Sequence, residues 1–106
     1  MSAKRKPLPP PALDEATVER LAQLFSALGD PSRVRILWAL LSGELNVGDL
    51  AQRAGISASA VSHQLRPLRL MRLVRARKAG REVFYALDDD HVIDLFQRGL
   101  DHVRHE

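Results

Sequence analysis

The chain has 106 residues and 11.8 kDa, room for one domain with a small core, because two independent cores do not fit in so short a polypeptide. With 45% hydrophobic and 27% charged residues, a mean hydropathy of −0.18 and no cysteine, it is neither a disordered polyampholyte nor a membrane protein, and disulfides, thiol catalysis and thiolate metal sites are excluded. The net charge of +3 is segregated: residues 49–81 hold eight bases against Asp49 alone, and residues 82–106 hold seven acids against two bases.

Residues 1–12, with Lys4, Arg5, Lys6, Pro7, Pro9, Pro10 and Pro11, suit a basic, proline-rich flexible arm, since proline disfavours both helix and ladder. This start has no apolar signal region, so the expected address is cytoplasmic. Residues 13–106 form the expected folded domain. From Asp14, Val18, Leu21, Ala22, Phe25 and Leu28 recur at three- and four-residue intervals up to Gly29, predicting an amphipathic first helix. Asp30 as cap and Pro31 at the first helical position open a second, with Val34, Ile36, Leu37, Leu40 and Leu41 as a broad apolar face reaching to Gly43.

Asn46 caps a short helix through Val47, Leu50, Ala51 and Ala54, closed by Gly55, and Ser57 caps another through Val61 and Leu65. Pro67 removes a backbone donor inside that helix, so a kink or early break is expected there. Leu73–Arg77 and Glu82–Leu87 are β-capable runs joined by Lys78, Ala79 and Gly80, predicting a hairpin. Val92, Leu95, Phe96 and Val103 define a last helix starting near Asp88, Asp89 and Asp90.

The predicted fold is mainly α with a small β-hairpin, in the order of a winged helix-turn-helix. The helix after Gly55 is presented outward and offers Ser57, Ser59, Ser62, His63, Gln64 and Arg66 to phosphates and major-groove base edges. Arg69, Arg75, Arg77, Lys78 and Arg81 extend the positive surface into the wing. Aromatic residues make up only 5%, too few for the stacking platforms of single-strand binders, so the expected partner is double-stranded DNA.

Three runs carry a family resemblance: Ala27-Leu28-Gly29-Asp30-Pro31-Ser32-Arg33-Val34-Arg35-Ile36-Leu37, Glu44-Leu45-Asn46-Val47-Gly48-Asp49-Leu50-Ala51 and Ser59-Ala60-Val61-Ser62-His63-Gln64-Leu65. With the wing Gly80-Arg81-Glu82-Val83-Phe84-Tyr85, the sequence resembles the ArsR/SmtB family of metal-responsive transcriptional repressors. The resemblance implies a homodimer joined through its first and last helices, which occupies an operator and leaves it when metal binds. Many members carry cysteines in the segment matching Glu44–Asp49; Asn46 and Gly48 stand there in this chain, so thiolate sensing is out of reach.

The metal ligands are then sought in the last helix, where Asp89, His91, His102 and His105 read D-x-H, ten residues, H-x-x-H. At 3.6 residues per turn the three histidines share one face, but at ~1.5 Å rise per residue His91 and His102 stand roughly 16 Å apart. Two ligands of one ion lie within ~4 Å, so one helix cannot close the site. Two copies packed antiparallel can, because residues that face each other in such a pair have nearly constant index sums, and His91 with His102 and Asp89 with His105 satisfy that condition. Each ion is expected between Asp89 and His91 of one protomer and His102 and His105 of the other.

Three imidazoles and a carboxylate suit Zn(II), with Co(II) or Ni(II) also compatible. Four protein ligands leave no open position for an activated water, so an enzyme is not expected. Taken singly, His102 and His105 are cations near a helix C-terminus and Asp89 a cap. The alternative function is accordingly a dimeric winged-helix DNA-binding regulator that senses no metal.

Overall fold

The side chains that open each helix act as N-caps, as the sequence leads one to expect. In the computed structural model, which describes residues 7–105, Asp14 Oδ1 accepts the Thr17 N–H at 2.9 Å and starts α1 (Glu15–Leu28). Asp30 Oδ2 accepts the Arg33 N–H at 3.0 Å before α2 (Pro31–Ala39), and Asn46 Oδ1 accepts the Asp49 N–H at 2.8 Å before α3 (Val47–Ala54). Ser57 Oγ accepts the Ala60 N–H before α4 (Ala58–Leu70), and Asp89 Oδ1 the Val92 N–H before α5 (Asp90–Arg104), both at 3.0 Å. Each cap satisfies a donor that the helix itself leaves unpaired, worth about 1 kcal/mol. Of the expected arm, residues 1–6 lie outside the described residues, and residues 7–14 are exposed with neither helix nor strand.

Three sequence expectations are corrected, and the predicted hairpin, which is present, gains a third strand. The second helix ends at Ala39, and the apolar run continues to Gly43 through tighter turns, with Leu41 N–H on Trp38 O and Gly43 N–H on Leu40 O. The hairpin is part of a three-stranded antiparallel sheet ordered β1-β3-β2, in which β1 (Leu45–Asn46) and β2 (Val74–Ala79) flank β3 (Glu82–Leu87). Leu45 pairs with Tyr85 and Asn46 with Phe84. Lys78 and Ala79 belong to β2 rather than to the loop, because Ala79 pairs with Glu82 and leaves only Gly80 and Arg81 between the strands. Gly80 sits at φ +62°, a conformation that a tight two-residue hairpin loop requires and that glycine adopts without steric cost.

The early break expected at Pro67 is absent: helix α4 is continuous through it to Leu70, with the Met71 N–H on Pro67 O at 3.0 Å. The missing N–H would have reached the carbonyl of His63, and His63 is exposed, so water can serve that acceptor in place of the lost bond.

α4 ends in a hydrogen-bonded turn that joins it rigidly to β2. The Leu73 N–H returns to Leu68 O and the Arg72 N–H to Arg69 O, each at 3.0 Å, with Arg72 at φ +59°. Leu68 and Leu73 are both buried, completing the apolar contact of a Schellman motif. Arg72 occupies a position that favours glycine. Arg72→Gly is expected to stabilise the fold by about 0.5–1 kcal/mol, read as a higher denaturant midpoint at unchanged slope; an unchanged or lower midpoint would contradict the strain.

The core lies where α2, α3 and α4 meet the sheet, centred on Ile36, Leu37, Leu50, Val61 and Leu68. Gly55 at φ +74° closes α3 and turns the chain into α4. By contrast α5 has no buried residue and α1 buries only Ala27. Leu21, Phe25, Val34 and Val103 are exposed on α1, α2 and α5, and Phe25, Val34, Leu95, Phe96 and Val103 line one open apolar groove. Such a contiguous apolar face on a folded domain marks an interaction surface. Among the described residues, no helix is long and apolar enough to cross a membrane.

Candidate nucleic-acid and metal sites

α3 and α4 form the helix-turn-helix. Leu50, Ala54, Val61 and Leu65 turn inward and are buried, which leaves Ser57, Ser59, Ser62, His63 and Arg66 exposed on one side of α4. Ser57 also serves as the helix cap; its hydroxyl proton remains free to donate. Gln64 differs from its neighbours. It is half-buried, and its Oε1 accepts from Arg33 Nε of α2 at 2.8 Å.

In the wing, Lys78 at the end of β2 and Arg81 in the loop are exposed. Arg77 is engaged: its Nε and Nη2 donate to the two carboxylate oxygens of Glu44, each at 2.9 Å, and its guanidinium lies 5.3 Å over the Phe84 ring. The hydrogen bonds from Arg77 hold the Glu44 carboxyl below its ordinary pKa, and the same bonds raise that of Arg77. Since Arg77 pairs with Phe84, and Phe84 with Asn46, this fork spans β3 from β2 to the residue just before β1. Asn46 Nδ2 adds a second tie, donating to Glu82 Oε1 at 2.6 Å. Arg75 donates to the Asp88 carbonyl at 2.6 Å and secures the base of the hairpin. The partners Arg33 and Glu44 escaped sequence reasoning because they lie 31 and 33 residues from Gln64 and Arg77, with no local pattern to signal the pairing.

All four metal-ligand candidates are exposed. Asp89 and His91 are brought together at the start of α5, with Asp89 Oδ1 3.7 Å from His91 Nδ1, close to the roughly 3.3 Å edge of a tetrahedron with ~2.0 Å bonds. The Asp89 carboxyl is held below its ordinary pKa, first by the Val92 N–H and then by His91. It is therefore ionised at neutral pH and keeps lone pairs beyond the one used in capping. His102 and His105 close the other end of the helix, where the His105 N–H bonds the His102 carbonyl at 3.3 Å. Among the described residues, no three His, Asp or Glu side chains of one protomer converge as an ion-holding group. The donor types fit a borderline transition metal: nitrogen and carboxylate ligands, two of them already within ligand spacing, with the apolar groove beside them on α5.

Comparison with known proteins agrees with this architecture. Residues 30–76 match the family model described as bacterial regulatory protein, arsR family. The chain is 50% identical over 93 residues to a transcriptional repressor SmtB homolog of Synechocystis, covering 88% of this chain and 69% of that one. Among solved structures it is similar to the AntR antimony-specific transcriptional repressor, with a TM-score of 0.82 and 32% identity over 98% of this chain and 96% of that one. It is also similar to the homodimeric winged helix-turn-helix DNA-binding domain of Mb0332 from Mycobacterium bovis, with a TM-score of 0.75, 28% identity and coverages of 86% and 88%. The fold thus defines a winged helix-turn-helix transcriptional regulator rather than an enzyme. Within that class, the chain belongs to the ArsR family.

Proposed function

We propose that the chain is a metal-responsive repressor that binds palindromic operator DNA as a metal-free cytoplasmic homodimer and leaves it when Zn(II) binds, Co(II) and Ni(II) being compatible with the same ligands. The observation that supports this reading is α5 itself: a helix with no buried residue, candidate donors Asp89 and His91 close together at its start and His102 and His105 at its end, and an apolar groove alongside. A helix of this kind calls for a second copy, and the similar Mb0332 domain is homodimeric. Asp89 and His91 of one protomer with His102 and His105 of its partner then hold one ion, two per dimer. When bound, the ion supplies a cross-link between the two α5 helices. A cysteine-free chain offers no thiolate to a soft ion such as the antimony in the name of its structural relative, and its nitrogen and oxygen donors suit a harder one.

Ser57, Ser59, Ser62, His63, Gln64 and Arg66 of α4 face the major groove in this reading, and Arg77, Lys78 and Arg81 of the wing face the adjacent backbone. Arg77 does so in competition with Glu44. Metal and DNA oppose each other through the dimer, so each weakens the other by the same factor.

Operator-binding isotherms at fixed salt, with a duplex selected from a random-sequence pool, test this proposal. The metal-free dimer is expected to bind. Zn(II), Co(II) or Ni(II), bound at one ion per protomer, is expected to weaken that binding by roughly 5- to 150-fold. Isotherms unmoved by all three ions would favour a dimeric regulator that senses no metal.

A further inference from the structure

Arg33 of α2 lies outside the helix-turn-helix, yet its side chain reaches the recognition helix. It is half-buried, and its only side-chain partner among the described residues is the neutral amide of Gln64. The nearest acid in sequence, Asp30, spends its Oδ2 on the Arg33 backbone N–H as the cap of α2, and no carboxylate among the described residues forms an ion pair with the Arg33 guanidinium. A guanidinium has five N–H donors, and here one is placed. A partly desolvated cation without a counter-charge is an expensive arrangement unless an anion completes it. The groove that Arg33 lines is shared with Ser59, Ser62, His63 and Arg66 and has no acid in its walls. Hydroxyls, an imidazole and two guanidiniums facing one open groove are the chemistry of a phosphate seat.

We propose that Arg33 is a DNA-backbone contact that bridges one phosphate to Gln64. This rests on the DNA-binding reading above and adds a residue from a third helix to the surface. The bridge also orients Gln64. Arg33 Nε–H can only donate, so the amide oxygen must turn toward Arg33 and the amide nitrogen toward the groove. Gln64 is then presented to the duplex as a donor, suited to guanine N7 or O6, thymine O4 or a phosphate oxygen.

The test is the salt dependence of binding to a short random-sequence duplex, for the full chain and for Arg33→Met and Arg33→Lys. Methionine keeps the apolar stem in its half-buried seat and removes the charge; lysine keeps the charge and loses the fork. Each phosphate neutralised contributes about −0.9 to the slope of log affinity against log salt. Arg33→Met is expected to reduce the slope by about one unit and to weaken binding about tenfold at physiological salt, while Arg33→Lys retains most of the slope. An unchanged slope in Arg33→Met, or equal losses in both variants, would overturn the proposal by marking Arg33 as structural. Loss of inorganic phosphate binding with the duplex slope intact would also overturn it, marking a small-anion seat. A wild-type chain that binds no duplex fails at the earlier step and overturns the DNA-binding reading itself.

Discussion

Two inactive proteins, mixed, are expected to regain metal binding. The double variant Asp89→Ala/His91→Ala removes the proposed ligands at the start of α5, and His102→Ala/His105→Ala removes those proposed at its end; as homodimers neither would hold a complete set. In the heterodimer, one of the two symmetric positions receives the intact start of one chain and the intact end of the other. Statistical exchange makes half the dimers mixed, so the mixture should bind about one ion for every two dimers, against none for either parent. Competition with a chromophoric chelator measures this directly. A mixture that stays metal-free would mean that each site is built within one chain. High-affinity binding by either parent would mean that other residues hold the ion.

Phe25→Glu should convert the protein to monomers. Phe25 is 57% exposed on α1 and lines the apolar groove with Val34, Leu95, Phe96 and Val103. In a twofold interface the substitution acts twice and buries two unpaired carboxylates, each at a cost of several kcal/mol. At about 1.4 kcal/mol per decade, the dimer dissociation constant rises by at least roughly a thousandfold. Sedimentation velocity at micromolar concentration would show it, with Gln52→Ala, exposed on α3, as a control that stays dimeric. Metal affinity should fall with dimerisation, since the proposed ligand sets exist only across it. A Phe25→Glu protein that remains dimeric would place the interface elsewhere.

How far the sequence could be read depended on the range of the interaction. Caps are local: Asp30, Asn46 and Ser57 each bond a backbone N–H three residues on, and the helices they open were legible from neighbouring residues. Strand β1 was not, because two residues carry no alternation and exist as a strand only by pairing with Phe84 and Tyr85, about forty positions away. Pro67 misled in the opposite direction: the local rule predicts disruption, but the affected acceptor belongs to exposed His63, where solvent can replace the bond. Periodicity identified the apolar faces of α1 and α5 without saying what they pack against. The same limit applies to the candidate sites, where exposed positions on α4 were legible from its period while Arg33 and Glu44 depend on the tertiary fold.

The wing is fastened at three points, to α4 by the bonded turn at Arg72 and to the segment that opens α3 by the Arg77–Glu44 fork and the Asn46–Glu82 bond. Within one protomer, then, the wing is tied to both helices of the helix-turn-helix. The proposed loss of operator affinity on metal binding is then expected to come from a change in the distance or angle between the DNA-reading surfaces of the two protomers. The expected operator of the proposed dimer is accordingly a pair of half-sites whose separation matters as much as their bases, and inserting or deleting base pairs between them should disable repression as completely as altering either half.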